Sequence, residues 1–272
     1  ERTGLSYFDR FLLHNLGGRR TAVFDDYGIW EFLAARKAEG LIRELGFSMH
    51  DTADSLDAIL TAHPEVDFVQ LQINYADWED EKVQSRRCLE TARQHGKPVI
   101  AMEPVKGGLL ANLPKPVEAI LREVDPLASP SSWAIRFAAS QPGVDVVLSG
   151  MSNLAQMEDN ISYMKNFAPL SQAEQAAIAR AQAAFAATEQ IPCTNCGYCK
   201  ADCPASIHIP GAIGLINEAT KFDNLEGPRR GYGFVLGEHK ASACIACGQC
   251  EAVCPQKLPI IELMQKAAEM FE

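Results

Sequence analysis

Residues 41–75 read LIRELGFSMHDTADSLDAILTAHPEVDFVQLQINY. The short segments Leu45–Met49 (LGFSM) and Phe68–Asn74 (FVQLQIN) read as strands, and the segment around Ala53–Ala62 between them reads as a helix. Strand, helix, strand in about thirty residues is the unit of a parallel sheet, because parallel neighbours need a crossover connection. The same alternation extends outward in both directions. Upstream, Phe8–His14 (FDRFLLH) fits a buried strand, and residues 28–40 (GIWEFLAARKAEG) fit a helix closed by Gly40. Downstream, Glu81–His95 reads as a helix closed by Gly96, and Pro98–Met102 as a fourth strand. Helices are predicted over Pro116–Val124 and Ser131–Ser140, a fifth strand over Asp145–Ser149, and a helix from about Asn153 to Asn166.

Five such units in series fit an α/β fold that is either part of a (β/α)₈ barrel or a doubly wound sheet, with right-handed connections. No GxGxxG follows the first strand, and Gly107–Gly108 alone is a turn signal, so a dinucleotide-binding Rossmann unit is disfavoured. Residues 171–190 are rich in Ala and Gln, with Ser171 and Glu174 in capping-box spacing, and predict a helix that joins two domains. From Ile191 the composition shifts to Cys, Gly and Pro. The expected division is therefore 1–168, a linking helix over 169–190, and a second domain over 191–272.

The 272 residues are 47% apolar and 22% charged, with a mean hydropathy of −0.09, which excludes wholesale disorder. No apolar run reaches the length of a membrane span, and no secretory leader is visible. The net charge of −10 makes a nucleic-acid partner a poor expectation, since a phosphate backbone needs a basic surface. The chain starts at Glu1 and not Met, so an upstream start is expected.

Eight of the nine cysteines lie between Cys193 and Cys254. Cys193, Cys196, Cys199 and Cys203 stand in CTNCGYCKADCP; Cys244, Cys247, Cys250 and Cys254 stand in CIACGQCEAVCP. Both are C-x₂-C-x₂-C-x₃-C-P, the ferredoxin run, in which the fourth Cys ligates the other cluster. The expected sets are Cys193, Cys196, Cys199 and Cys254 for one [4Fe-4S] cluster, and Cys244, Cys247, Cys250 and Cys203 for the second. Three thiolates in one tight loop reach three irons of a cube, and the fourth ligand comes from elsewhere. Two zinc sites are the alternative, but zinc usually takes CxxC pairs or mixed Cys/His sets. The forty-odd residues between the motifs exceed a compact two-hairpin ferredoxin, and Ile209–Phe222 and Pro259–Phe271 look helical. An all-α, helical ferredoxin-like domain is expected.

The first domain, over about residues 2–166, resembles the aldo/keto reductases. GLSYFDRFLLHN (4–15) is similar to their fourth barrel strand, GLIRELGFSMHD (40–51) to the fifth, and VDFVQLQINY (66–75) to the sixth. GKPVIAMEPVKGGLL (96–110) is similar to the seventh, and QPGVDVVLSGMSNLAQMEDNI (141–161) to the eighth with its helix. With the double cysteine run behind them, they resemble the iron–sulfur branch of that family. The resemblance implies a partial TIM barrel, strands four to eight, and carbonyl/alcohol chemistry on a small substrate with NAD(P)H. In that family a Tyr protonates the carbonyl oxygen, a Lys and an Asp tune the Tyr, and a His orients the carbonyl. Only the His has a match here, at His14; the others belong to the first three units. The chain is therefore expected to be part of a longer one or to be completed by another subunit. Ser48 and Gln70 match positions that hold the nicotinamide carboxamide, and Asn160 a position near the adenine. Met102 stands where many members have an aromatic ring, and Gly150 and Gln156 where NADP-preferring members often have cations, so NADP preference is not supported.

Plainer roles exist for these residues. A strand-end His such as His14, or a loop His such as His50, is often simply solvated or bonded to a neighbour. Ser48 and Gln70 would serve equally as polar residues of an open strand end. Glu103 and Lys106 are expected to form a rim ion pair, Cys88 to be a core thiol, and Arg229–Arg230 to lie in a solvated turn. Two functions follow: a cytoplasmic oxidoreductase coupled to two clusters, or an electron-transfer protein whose partial barrel is a docking scaffold. Nicotinamide moves electrons in pairs and each cluster singly, so coupling them calls for a flavin or a redox partner protein.

Overall fold

The computed structural model describes residues 4–81, 83–201 and 203–272; residues 1–3, Lys82 and Asp202 lie outside the described set, as do the side chains of Arg19 and Arg20. The first two residues of the 2–166 resemblance, one position of the 81–95 helix and one of the first cysteine motif are thus outside it.

In chain order the elements are β1 (Phe8–Leu16), α1 (Arg19–Asp26), α2 (Ile29–Ala38), β2 (Ile42–Met49), α3 (Ala53–Ala62), β3 (Phe68–Gln72), α4 (Ser85–Gln94) and β4 (Val99–Met102). A 3₁₀ turn at Lys106–Ala111 leads to α5 (Lys115–Arg122), α6 (Pro130–Ala139), β5 (Val144–Val147), α7 (Leu154–Met164) and α8 (Gln172–Ala186). The cysteine-rich part holds α9 (Tyr198–Ala201), α10 (Ile209–Phe222), α11 (Glu226–Leu236), α12 (Gln249–Ala252) and α13 (Ile260–Phe271). Two compact units result: residues 1–106 with 127–178, and residues 107–126 with 179–272.

The first unit is built on a five-stranded sheet in the order β1-β2-β3-β4-β5, every pair parallel. This is a partial barrel, with β1 and β5 as edges. The central strands β3 and β4 are almost wholly buried, as expected when helices cover a parallel sheet. Leu13, Leu45, Phe47, Leu71 and Val99 form the core with Trp30 from α2, Leu56 and Leu60 from α3, and Leu89 from α4. The edges stay apolar and open: Phe8 and Phe11 are exposed on β1, and Val146 on β5, while α7 buries none of its residues. Gly46 is required where β2 crosses Phe68: a Cβ there would lie 2.6 Å from the Phe68 ring and 2.7 Å from its carbonyl oxygen.

Several sequence expectations need adjustment. The helix expected from Glu81 starts at Ser85, because Gln84 is left-handed (φ 53°) and breaks the preceding turn. Helices α1 and α11 were not foreseen, and Arg229 and Arg230 are exposed residues of α11, not of a turn. The capping box is present: Ser171 N–H donates to Glu174 Oε2 at 2.8 Å, and Glu174 N–H to Ser171 Oγ at 3.3 Å.

The second unit is helical among the described residues. Its core gathers Ile207, Ile213, Ile216, Leu236, Ile260 and Met264 beside the cysteines. It repeats itself internally. The two cysteine motifs, the short helices α9 and α12, and the long helices α10 and α13 recur at one constant offset. So do the left-handed residues: Asn195, Gly197 and Ser206 correspond to Ala246, Gly248 and Lys257. No helix among the described residues is long and apolar enough to cross a membrane.

Candidate functional site

Two groups of residues carry chemistry. The first is at the carboxyl end of the sheet, where open parallel sheets place their ligands. Leu13 pairs with Phe47 and Leu16 with Met49, so His14 and Asn15 together face the single residue Ser48. This is a bulge, which re-aims side chains at the cost of one ladder position. Ser48 in turn pairs with Gln70 on β3, and Gln72 on β3 pairs with Met102 on β4. His14, Ser48 and Gln70 therefore stand on three adjacent strands at the same end. His14 is exposed, and its ring makes no hydrogen bond to other described residues. Ser48 is buried (1% exposed) and its Oγ accepts from Asn15 N–H at 2.8 Å. Gln70 Nε2 donates to the Met102 thioether at 3.4 Å. Asn160 does not join them. It lies on α7, where Nδ2 donates to Ser149 Oγ (2.9 Å) and Oδ1 accepts from Tyr163 Oη (2.5 Å). Burial and the nearby Asp159 carboxylate push the Tyr163 hydroxyl above the usual phenol range. His50 is exposed just past β2, and Gln156 Oε1 is used by the Ser152 N–H.

The ion pair that Lys106 makes is with Asp77 and not Glu103. Its Nζ lies 2.8 and 2.9 Å from the two Asp77 oxygens, while Glu103 accepts from Gln72 Nε2 at 3.0 Å. Asp77 is 3% exposed and also accepts from Asn74 Nδ2, whose Oδ1 receives Asp77 N–H. This buried cluster fixes the loops after β3 and β4, where Glu103 and Lys106 both take left-handed backbone. No local pattern points to it, since Asp77 and Lys106 are far apart along the chain. Asn15 was also overlooked; the sign available was an Asn beside a His at a strand end. Cys88 is a core thiol, 3% exposed, pushed up to about 11 by burial.

The second group is the eight cysteines. Cys193, Cys196, Cys199 and Cys254 line one cavity of about 340 Å³, part of it open to solvent, with Pro210, Ile213, Leu258 and Ile260. Cys203, Cys244, Cys247 and Cys250 line another of about 350 Å³ with Ile207, Ile209, Ile245, Ile261 and Met264. Each cavity thus takes three cysteines of one motif and the last of the other. Burial, then the neighbouring Cys193 and Cys196, push the Cys199 thiol up to about 11, and burial also raises Cys250. Crowded thiolates are unstable without a cationic centre among them. The cysteines ring a cavity, and no three His, Cys, Asp or Glu among the described residues converge on a point suited to a single metal ion. Left-handed residues at Asn195 and Gly197, and at Ala246 and Gly248, are the backbone shape that gathers N–H groups around anionic sulfur. This donor set fits iron–sulfur cubes.

Comparison with known proteins agrees with both halves. The aldo/keto reductase family profile matches residues 1–183, and the 4Fe-4S dicluster domain profile residues 192–258. Among solved structures, an aldo-keto reductase of Bacillus halodurans in its holo form superposes with a TM-score of 0.50 at 21% identity, over 66% of this chain and 62% of that one. An aldo/keto reductase of Klebsiella pneumoniae, solved with NADP and acetate, gives 0.50 at 20% identity over 66% and 60%. At these identities the likeness is one of fold. The chain spans less than two thirds of their length. A curated relative, the acetyl-CoA decarbonylase/synthase complex subunit alpha 1 of Methanosarcina barkeri, is 32% identical over 77 residues, 28% of this chain and 8% of that protein.

Proposed function

The chain belongs to the aldo/keto reductase family and carries a 4Fe-4S dicluster domain, and from that premise we propose that it takes part in nicotinamide-linked carbonyl/alcohol interconversion associated with two [4Fe-4S] clusters. The observation that carries the reading is the placement of His14, Ser48 and Gln70 on three adjacent strands at one end of the sheet. His14, exposed there, donates from its ring to a substrate carbonyl oxygen and orients it. Ser48 and Gln70 hold the nicotinamide carboxamide, and Asn160 lies near the adenine. The nicotinamide, when bound, supplies or takes up hydride at the carbonyl carbon. An alcohol forms only if a proton reaches the developing oxyanion. The family's Tyr, Lys and Asp have no match in residues 1–272, so this reading assigns them to the βα units that complete the barrel. The open apolar edges at Phe8, Phe11 and Val146 suit such a completion.

In the second domain, Cys193, Cys196, Cys199 and Cys254 hold one cluster and Cys203, Cys244, Cys247 and Cys250 the other. Their one-electron traffic meets the two-electron chemistry through a flavin or a redox partner protein. The functional division is 1–168, 169–190 and 191–272, and the location is the cytoplasm, where thiolate ligands stay reduced.

The test is the full-length, cluster-loaded protein with a panel of small aldehydes and ketones, following loss of reduced nicotinamide. Turnover that falls at least a hundredfold in H14A is the expected result. One observation favours a second reading. Each cavity has one exposed cysteine, Cys196 or Cys247, so each cluster edge is within reach of a docked protein. No carbonyl turnover, with both clusters reversibly reduced by viologen, would establish electron transfer with the partial barrel as scaffold.

A further inference from the structure

The bulge at the end of β1 sets Asn15 in the left-handed region, φ 63°. That conformation is strained for most residues, and Asn and Gly are the two that enter it most readily. It turns the Asn15 N–H onto Ser48 Oγ, 2.8 Å away. The Asn15 side-chain Oδ1, by contrast, is buried without a hydrogen-bond partner among the described residues. The amide side chain is thus not held by a bond through that oxygen, and what Asn15 contributes is its backbone. A hydroxyl has one proton and two lone pairs. With one lone pair taken by the Asn15 N–H, the Ser48 proton is directed away from β1.

We propose that Asn15 is a positioning residue: its left-handed backbone N–H fixes the Ser48 hydroxyl as a donor, aimed at the carbonyl oxygen of a nicotinamide carboxamide. This rests on the nicotinamide reading given above. It also explains why a bulge stands here. With regular pairing, Asn15 would lie beyond Ser48 and its N–H would be used in the ladder or left to solvent. The extra residue lets consecutive His14 and Asn15 both face Ser48, with the Asn15 N–H bonded to its hydroxyl.

The test is titration of the full-length protein with NADPH and with NADH, read by nicotinamide fluorescence, for wild type, N15V, N15A, N15G, S48A and N15V/S48A. Valine disfavours positive φ most strongly; alanine does so more mildly and serves if N15V does not fold. Glycine keeps the left-handed backbone and discards the side chain. All three tryptophans, Trp30, Trp78 and Trp133, lie in the first unit, so their emission reports its folding in every variant. The expected result is weakening of about tenfold in N15V and S48A, the scale of one well-placed hydrogen bond. The double variant should be no weaker than S48A, and N15G should restore affinity to within about twofold. Unchanged affinity in folded N15V or N15A, or loss in N15G equal to that in N15V, would overturn the inference alone. Absence of binding of either nicotinamide by wild type would overturn the nicotinamide reading and this inference with it.

Discussion

Cys254 lines the same cavity as Cys199, although it closes the second motif and Cys199 belongs to the first. Cys203 makes the reciprocal exchange with Cys250. Grouping by cavity and grouping by sequence motif therefore predict different losses of iron. Two [4Fe-4S] clusters give about eight iron atoms per chain. C254A should fall to about four, and C193A/C254A should lose no more than C254A alone. C193A/C203A, although both changes fall in the first motif, touches both cavities and should lose nearly all. Iron and acid-labile sulfide, measured on protein purified without oxygen, decide it. Complete loss in C193A/C254A would show that the clusters follow the motifs.

The Asp77–Lys106 pair is the most enclosed ion pair at the carboxyl end of the sheet. Removing one partner of a buried pair costs about 3 kcal/mol or more, because the other is left in a poorly hydrated place. D77A should lower the stability of the first unit by about 3 kcal/mol, read by urea unfolding through tryptophan emission. A loss below about 1 kcal/mol would mean the pair behaves as a surface bridge. D77A should also weaken nicotinamide binding more than it changes turnover, since the loops after β3 and β4 form the rim.

What could be seen in the sequence was what local chemistry and period determine. The five strands were legible because a doubly covered sheet favours apolar runs, continuous in Val99–Met102 and broken in Phe68–Gln72 only at Gln70 and Gln72. The crossed cysteine sets were legible because a cube imposes its spacing on the chain. Helix α11 was not. Its sequence EGPRRGYGFVL holds three glycines and a proline, which oppose a helix by propensity. Packing overrides this: Pro228 falls in the first turn, and Gly227 lies against Leu109, where an added Cβ would be 2.9 Å from Leu109 Cδ2. The Lys106 partner was missed for a similar reason. Glu103 is nearby in sequence, but the left-handed turns at Glu103 and Lys106 send their side chains to different neighbours, Gln72 and Asp77.

Gly46 tests how tightly β2 and β3 are packed. The obstacle to a side chain is partly the Phe68 carbonyl, which belongs to the ladder and has little room to yield. G46A should cost about 3 kcal/mol, the upper end of overpacking. G46A/F68L should recover only part of this, because the carbonyl contact remains. Full recovery would place the whole strain on the ring.

Glu174 gives the first unit an acid-sensitive joint between α6 and α8. Its Oε1 lies 2.6 Å from Arg136 Nη2, both side chains are largely enclosed, and its Oε2 accepts from the Ser171 N–H and hydroxyl. Burial alone would raise the carboxyl, but the bonds from Ser171 and Arg136 and the Arg136 charge outweigh it and hold it below the usual range. A depressed folded value means that folding favours the ionised form. The stabilisation is then complete above the unfolded carboxylate range, about pH 4.3, and is lost as pH falls through the lower folded value. E174Q should therefore cost about 2 kcal/mol at neutral pH, the scale of charge-assisted bonds. Its difference from wild type should shrink as the pH is lowered below about 4. Arg136→Met should reduce this acid dependence without abolishing it, because the bonds from Ser171 remain. Urea midpoints across pH 3 to 7, read from tryptophan emission, check this, and a constant difference at all pH values would mean that Glu174 serves by shape and not by charge.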